Sequence, residues 1–259
     1  MSQKRKRSQP TIDREAMTFS KSGPFLKQEY FNSCCGYELS LRQDVEFVVP
    51  KPLSLDLNVF TSEFIDGINP LEMLDDDDDR KIDLIALTGR SLGQIHTEIH
   101  LDEKQRNYFG QVKKEFEEYY GFIHGDFNDK NVQYKDDSLV IIDWHLSPLY
   151  ERSANFDCVF RDVFWFSWAL VFSSGMDVFK RKNLTRLLNQ FVFSYVEQTN
   201  FPLAEIRKYT LLEIDELREL NMPSTKNARP FKAYLRAKKG RYVRNYLSNL
   251  VRNYWLNLS

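Results

Sequence analysis

Residues 124–131 read HGDFNDKN, and residues 140–144 read VIIDW. Asp126 and Asn131 stand five positions apart on one polar segment, while Asp143 closes an apolar run, residues 139–142, with the composition of a buried strand. Lys135, Asp136 and Asp137 lie between them as a turn, so a hairpin is expected, with strands near 132–134 and 139–142. Three oxygen-bearing side chains at this spacing are either a surface turn or a site for a divalent cation and a hydroxyl group. Phosphoryl transfer asks for little more. A carboxylate positions the attacking hydroxyl and accepts its proton, oxygen ligands hold Mg²⁺ on the nucleotide phosphates, and a cation orients those phosphates. In such a site Asp126 is the positioning carboxylate, and Asn131 and Asp143 are the metal ligands.

Outward from this segment the chain changes character once. Residues 16–65 read as β-rich. A pair of short strands meets at a Ser-Lys-Ser-Gly turn, a short helix starts near Ser33, and two further strands flank Pro50 and Pro52. The DGINP segment at 66–70 reads as a linker, and the acidic run at 74–81 as a solvated loop. Beyond it, Ile82, Ile85, Leu92 and Ile95 recur at helical spacing, and a second helix is expected over 107–120. Helices resume at Asp162 and continue to the end. There, aromatic and aliphatic residues from Phe231 to Trp255 form a stripe suited to packing. The expected organisation is a basic leader over 1–15, a reduced small lobe over 16–66, and a helical lobe over 67–259 that carries the hairpin. This is an α+β, two-lobed architecture.

The composition, 42% hydrophobic and 28% charged, is that of an ordinary globular chain. The net charge of −1 conceals an asymmetry. Nine basic residues and no acidic ones follow Glu219, so the rest of the chain is acidic by ten charges. A basic end suits either an anionic ligand or one solvated helix face. Its aromatics fall on the apolar stripe instead of alternating with the charges, which argues against nucleic acid as a partner. The odd count of three cysteines, two of them adjacent, points to reduced thiols and a cytoplasmic setting. The most apolar stretch, residues 163–172, is about half the ~20 residues a membrane helix needs, and reads as a buried helix.

The composite HGDFNDKN … VIIDW resembles the catalytic and metal-binding motifs of the aminoglycoside phosphotransferase and choline kinase group, small-molecule relatives of the protein kinases. The resemblance spans about residues 16–175. It implies a protein-kinase-like fold, with Asp126 as catalytic base and Asn131 and Asp143 on Mg²⁺. ATP is implied as phosphate donor, GTP being the alternative. Lys27, in PFLKQEY, would sit on the second strand of a hairpin and orient the phosphates, unless it is a plain surface lysine. Glu38 would be its partner, with Glu46 as competitor. The segment TSEFIDG at 61–67 resembles the hinge, where backbone groups near Glu63 and Ile65 would hold adenine. Asp162 matches the helix-start aspartate that braces the catalytic loop, and His96 and His124 read as packed or bracing residues. The implied activity is transfer of the γ-phosphate to an alcohol group of a small molecule, an anionic sugar or lipid headgroup among them. Only eighteen residues separate Asp143 from Asp162, which leaves no room for a long activation segment. One part is missing: the only glycine before Lys27 is Gly23, so there is no glycine-rich phosphate loop, and residues 4–13 do not read as the strand that would precede it. A catalytically weak binding or regulatory protein is therefore the second reading.

Overall fold

The computed structural model describes residues 10–23, 26–69, 79–106, 113–136, 138–145, 155–174, 181–219 and 230–255. Strand-forming residues come first. Strands β1 (Thr11–Asp13) and β2 (Thr18–Ser22) pair antiparallel, and β2 pairs in turn with β5 (Val59–Glu63), which pairs with β4 (Pro52–Asp56). The sheet order is β1-β2-β5-β4. A very short strand, β3 (Phe47–Val48), leaves this sheet and runs parallel to a strand of the second lobe. Residues 11–13, read from the sequence as part of the leader, thus form a sheet edge.

The segment that follows β2 corrects the sequence reading. It is not a second strand but helix α1 (Leu26–Ser40). Leu26, Glu29, Ser33, Gly36 and Leu39 are buried at spacings of three and four, so one helical face meets the protein. Lys27 consequently lies on the opposite, exposed face. The helix expected near Ser33 exists but begins seven residues earlier.

The larger lobe opens with helix α2 (Asp79–Glu98), which packs along α4 (Arg181–Thr199). Most of the acidic run lies outside the described residues. Of the helix expected over 107–120, the described part is a 3-10 helix, Lys114–Tyr119, followed by strand β6 (Tyr120–Phe122). Tyr120 and Phe122 pair with Cys158 and Phe156 of β9 (Phe156–Cys158), and that ladder draws the segment out of helix. The hairpin is present as expected: β7 (Val132–Lys135) and β8 (Ser138–Ile141) turn through Asp136, whose φ of 49 suits a tight two-residue loop. Ile68 bridges Tyr134 on its outer edge, so the linker is held against the hairpin.

The core lies beneath this hairpin. Helix α3 (Phe160–Ser174) carries the apolar run, and Phe160, Val163, Phe164, Phe166, Leu170 and Val171 are all fully buried. Each such side chain contributes roughly 1.5–3 kcal/mol on leaving water. Helix α5 (Leu203–Glu219) and helix α6 (Pro230–Asn253) close the lobe on α3. Val243, Leu247, Leu250 and Trp255 of the expected stripe are buried, while Tyr254 is exposed. The side chains of Phe231, Tyr234 and Leu235 lie outside the described residues. No described helix is long and apolar enough to cross a membrane.

Gly89 sets how closely α2 and α4 approach. A methyl group there would overlap the carbonyl oxygen of Phe191 and come within 3.1 Å of the Tyr195 nitrogen, backbone atoms that cannot swing aside. Gly89→Ala is expected to lower stability by about 1–3 kcal/mol or more, read as a drop in the urea midpoint. An unchanged midpoint would mean that the two helices part without cost.

Candidate active site

The loop after β6 carries His124, Gly125 and Asp126, and its backbone is held from below. Asp162, in the first turn of α3, is fully buried and accepts hydrogen bonds from the backbone N–H of His124 at 2.6 Å and of Gly125 at 3.0 Å. His96 Nε2 lies 3.3 Å from the same carboxylate, and its Nδ1 is 2.9 Å from the Tyr195 hydroxyl. Burial opposes ionisation of Asp162, but the bond from His96 and the loop amides outweigh it and hold the carboxyl below its ordinary range. Asp162 thus fixes the loop, as the sequence suggested. His124 packs edge-on against Phe127, and its Nε2 lies 3.0 Å from the carbonyl of Ile142. Burial lowers this imidazole to about 4, which makes it a neutral brace.

Asp126 sits on the braced loop with neutral donors around it. Trp165 Nε1, from α3, donates to its Oδ1 at 2.7 Å, and Asn131 Nδ2 donates to its Oδ2 at 3.2 Å and to its carbonyl at 2.8 Å. Burial pushes the carboxyl up to about 6, and the Trp165 hydrogen bond only partly offsets this. Asn131 therefore joins two places, since it also lines a cavity of about 470 Å³ between the four-stranded sheet and the hairpin. Glu63, Ile65 and Asp143 line that cavity too.

At the inner end of the cavity, four charged or titratable groups converge. Lys21, on β2, donates from Nζ to Asp143 Oδ1 at 2.6 Å and to Glu29 Oε1 at 3.0 Å. His145 Nδ1 lies 3.0 Å from the same Asp143 oxygen. Burial works against a charged Asp143, but the His145 hydrogen bond and the Lys21 charge prevail and hold it well below the usual carboxylate range. Glu29 goes the other way, because its burial outweighs the charge of Lys21. Asp143 itself adopts φ 63, so the turn into Trp144 and His145 is tight, with the His145 N–H bonded to the Asp143 carbonyl at 2.8 Å.

The residues expected from the sequence are thus only partly brought together. Asp126, Asn131, Asp143, Glu63 and Ile65 surround or adjoin one cavity. Lys27 does not, because it faces outward from α1, and Glu38 is exposed near the far end of that helix. Lys21 and Glu29 instead form the ion pair beside Asp143. The alternation of TFSKS over 18–22 and the helical spacing through Leu26, Glu29, Ser33 and Gly36 are the signals that pick these two out. Trp165 and His145 were not anticipated. His145 stands two residues after Asp143 and is visible as such, whereas nothing local marks Trp165. No glycine loop replaces the missing one between β1 and β2. That turn, Arg14–Met17 by number, is bound to the hinge instead, with Arg14 paired to Asp66 at 3.1 Å.

Three comparisons with known proteins bear on the fold. A sequence model of the RIO domain matches residues 37–166, a span that contains Asp126, Asn131, Asp143 and Trp165 but begins after Lys21 and Glu29. No curated protein sequence matches the chain. Among solved structures, the amicoumacin kinase hAmiN, in complex with AMP-PNP, Ca²⁺ and Ami, superposes with a TM-score of 0.59 at 11% identity, covering 95% of this chain and 87% of that one. ADP-bound aminoglycoside phosphotransferase APH(2'')-Ib gives 0.56 at 13%, covering 97% and 93%. Choline kinase from Cryptosporidium parvum Iowa II gives 0.55 at 11%, covering 93% and 84%. At such identities the likeness concerns the fold alone, which is a two-lobed, kinase-like α+β fold. The aminoglycoside and choline kinase likeness read from the sequence holds at that level, while the family model that matches is the RIO domain.

The raised carboxyl of Asp126 makes a test of its burial. A group raised in the folded chain favours folding while both states are protonated, and that advantage fades as pH climbs from about 4 to about 6. Asp126→Asn carries no such penalty. Its stability relative to wild type is expected to grow across that window, by on the order of 1–3 kcal/mol above it. Urea unfolding on both sides of the window measures this. A difference independent of pH would show that Asp126 ionises in the folded chain as it does in the unfolded one.

Proposed function

The chain belongs to the RIO domain family, and from that premise we propose that it is an ATP-dependent phosphotransferase whose acceptor is a hydroxyl group of a small molecule. The observation that carries this reading is the opposite tuning of two aspartates joined through Asn131: Asp126 raised to about 6 among neutral donors, and Asp143 held ionised by the Lys21 ammonium and a hydrogen bond from His145. A carboxylate with a pKa just below neutrality is suited to accept the acceptor's proton, because it is largely ionised at neutral pH yet still basic enough to act. Trp165 and Asn131 fix its two oxygens, so the hydroxyl meets a preset lone pair.

Asp143 and Asn131 supply oxygen donors of the kind Mg²⁺ takes, and the ionised state of Asp143 fits a cation. When bound there with nucleotide, Mg²⁺ would neutralise charge on the phosphates. Lys21 is the cation within reach of the same end of the cavity. At the hinge the Glu63 N–H is engaged by the Lys51 carbonyl and the Phe64 N–H by the Met17 carbonyl, so adenine would be read through Ile65. The short span from Asp143 to Asp162 favours a small acceptor over a protein. Lys239 of α6 lies against the Phe172 ring at 4.5 Å, beside Asp129 of the catalytic loop, which suits an acceptor with an anionic group such as a phosphorylated sugar or a lipid headgroup.

Turnover and thermal unfolding with ATP or GTP, with and without Mg²⁺, test the assignment. Asp126→Ala is expected to lower kcat by roughly 10²–10⁴ with nucleotide binding retained, and Asp143→Ala to lose the Mg²⁺-dependent rise in Tm. Lys21→Met is expected to abolish turnover, while Lys27→Met leaves it unchanged. Normal turnover in Asp126→Ala would sink the reading, and binding of nucleotide without turnover in wild type would favour a binding or regulatory role. Lys239→Met, with Lys238→Met as control, is expected to raise KM for an anionic acceptor. Equal KM values in both variants would remove α6 from acceptor recognition.

A further inference from the structure

The cluster at the inner end of the cavity holds more than the oxygen donors assigned above. Glu29, Asp143 and His145 each present a ligand atom, and the three atoms lie within 4.8 Å of one another. We propose that they form a cation site of mixed oxygen and nitrogen ligands, which takes a divalent transition-metal ion in the absence of nucleotide by exchanging it for the Lys21 ammonium. The proposal rests on the reading of Asp143 as a cation ligand and adds two residues and a metal class to it.

The geometry supports this at each ligand. Asp143 Oδ1 and His145 Nδ1 are 3.0 Å apart. Adjacent ligands of an ion with bonds of about 2.1 Å are separated by about that much. The backbone that carries the ring is held as well, since the His145 backbone N–H bonds to the Asp143 carbonyl at 2.8 Å. Glu29 is fixed from the other side. Its helix packs so closely on Trp144 that a methyl group at Gly36 would lie 2.5 Å from the indole, and Asn32 Nδ2 donates to the Trp144 carbonyl at 3.2 Å. Trp144 therefore holds α1 and the turn bearing Asp143 and His145 as one unit, a preset frame for ligands.

A cation already sits among them: Lys21 Nζ bonds both carboxylates. Two carboxylates with a neutral imidazole carry the charge that a divalent ion cancels, and a metal that enters releases Lys21 toward the cavity where phosphates would lie. The nitrogen ligand sets the selectivity. Mg²⁺ prefers all-oxygen surroundings, whereas imidazole suits Fe²⁺, Ni²⁺ and Zn²⁺, and Mn²⁺, which two carboxylates also attract, serves as the paramagnetic probe of the site.

Titration of Mn²⁺ into the untagged, nucleotide-free chain, followed by electron paramagnetic resonance with pulsed detection of ¹⁴N coupling, decides the matter. Wild type is expected to bind Mn²⁺ with a directly coordinated imidazole nitrogen. His145→Gln should lose the ¹⁴N signal and bind about tenfold or more weakly; the side chain is 29% exposed, so the change is compatible with folding. Lys21→Met should bind more tightly, because the competing ammonium is gone. Mn²⁺ held by oxygen ligands alone would overturn the mixed site and leave Asp143 as a cation ligand, which the nucleotide experiment with Asp143→Ala tests separately. Failure of the wild type to bind Mn²⁺ without nucleotide would overturn the proposal as well.

Discussion

The ammonium of Lys21 touches three parts of the chain at once: its own strand in the small lobe, Glu29 on the helix that packs beneath that sheet, and Asp143 at the end of the hairpin in the large lobe. Both carboxylates lose much of their hydration there, and such burial costs several kcal/mol per ion unless the geometry is good. Here it is good, with contacts of 3.0 and 2.6 Å. Take the lysine away and two carboxylates are left facing each other in a half-closed cavity. The relative placement of the lobes therefore depends on a cation at this point, and the structure meets that need from its own sequence.

Trp144 supports the ion cluster mechanically. Its ring is almost fully buried, tilted against His124 with ring centres 4.7 Å apart and pressed against Gly36 of α1. Movement of α1 would open space over the indole and carry Glu29 off Lys21. The turn at Asp143 is likewise tied through His124 to the loop that bears Asp126, because His124 bonds the Ile142 carbonyl while Asp162 holds its backbone. One chain of contacts thus runs from the small-lobe helix through Trp144 and His124 to the floor under Asp126. Side chains packed to crystal-like density transmit displacement along such a chain.

Which parts of this were legible in the sequence follows from how local each one is. Asp126, Asn131 and Asp143 were legible because a loop and a hairpin place them, and both are written in consecutive residues. The buried helix over 163–172 was legible for the same reason. Lys21 and Glu29 were missed because residues 24–30 alternate well enough to pass for a strand. Only the burial of Gly36 and Leu39, further along, shows that the period is helical. The strand Thr11–Asp13 depends on partners 5 to 9 residues away, and the ribbon of β6 with β9 on partners 34 to 38 residues away. Trp165 lies 39 residues from Asp126, and its contact arises only when α3 packs under the loop. Nothing at position 165 itself announces it.

The two aspartates show how one site can set similar groups to different tasks. Both are removed from water, and burial alone would raise both. The difference lies in the hydrogen-bond donors. Asp126 receives an indole N–H and an amide, dipoles that stabilise its charge too weakly to undo the burial, so it keeps affinity for a proton near neutrality. Asp143 receives the Lys21 ammonium and a hydrogen bond from His145, and together these overcome the same burial with room to spare. Groups whose surroundings drive their pKa values apart are the usual sign of an acid–base member and an electrostatic member in one site. Asn131 stands between them, donating to the first and lining the cavity of the second. A change in either aspartate's partners would reach the other through that single amide, or through the His124 brace behind it.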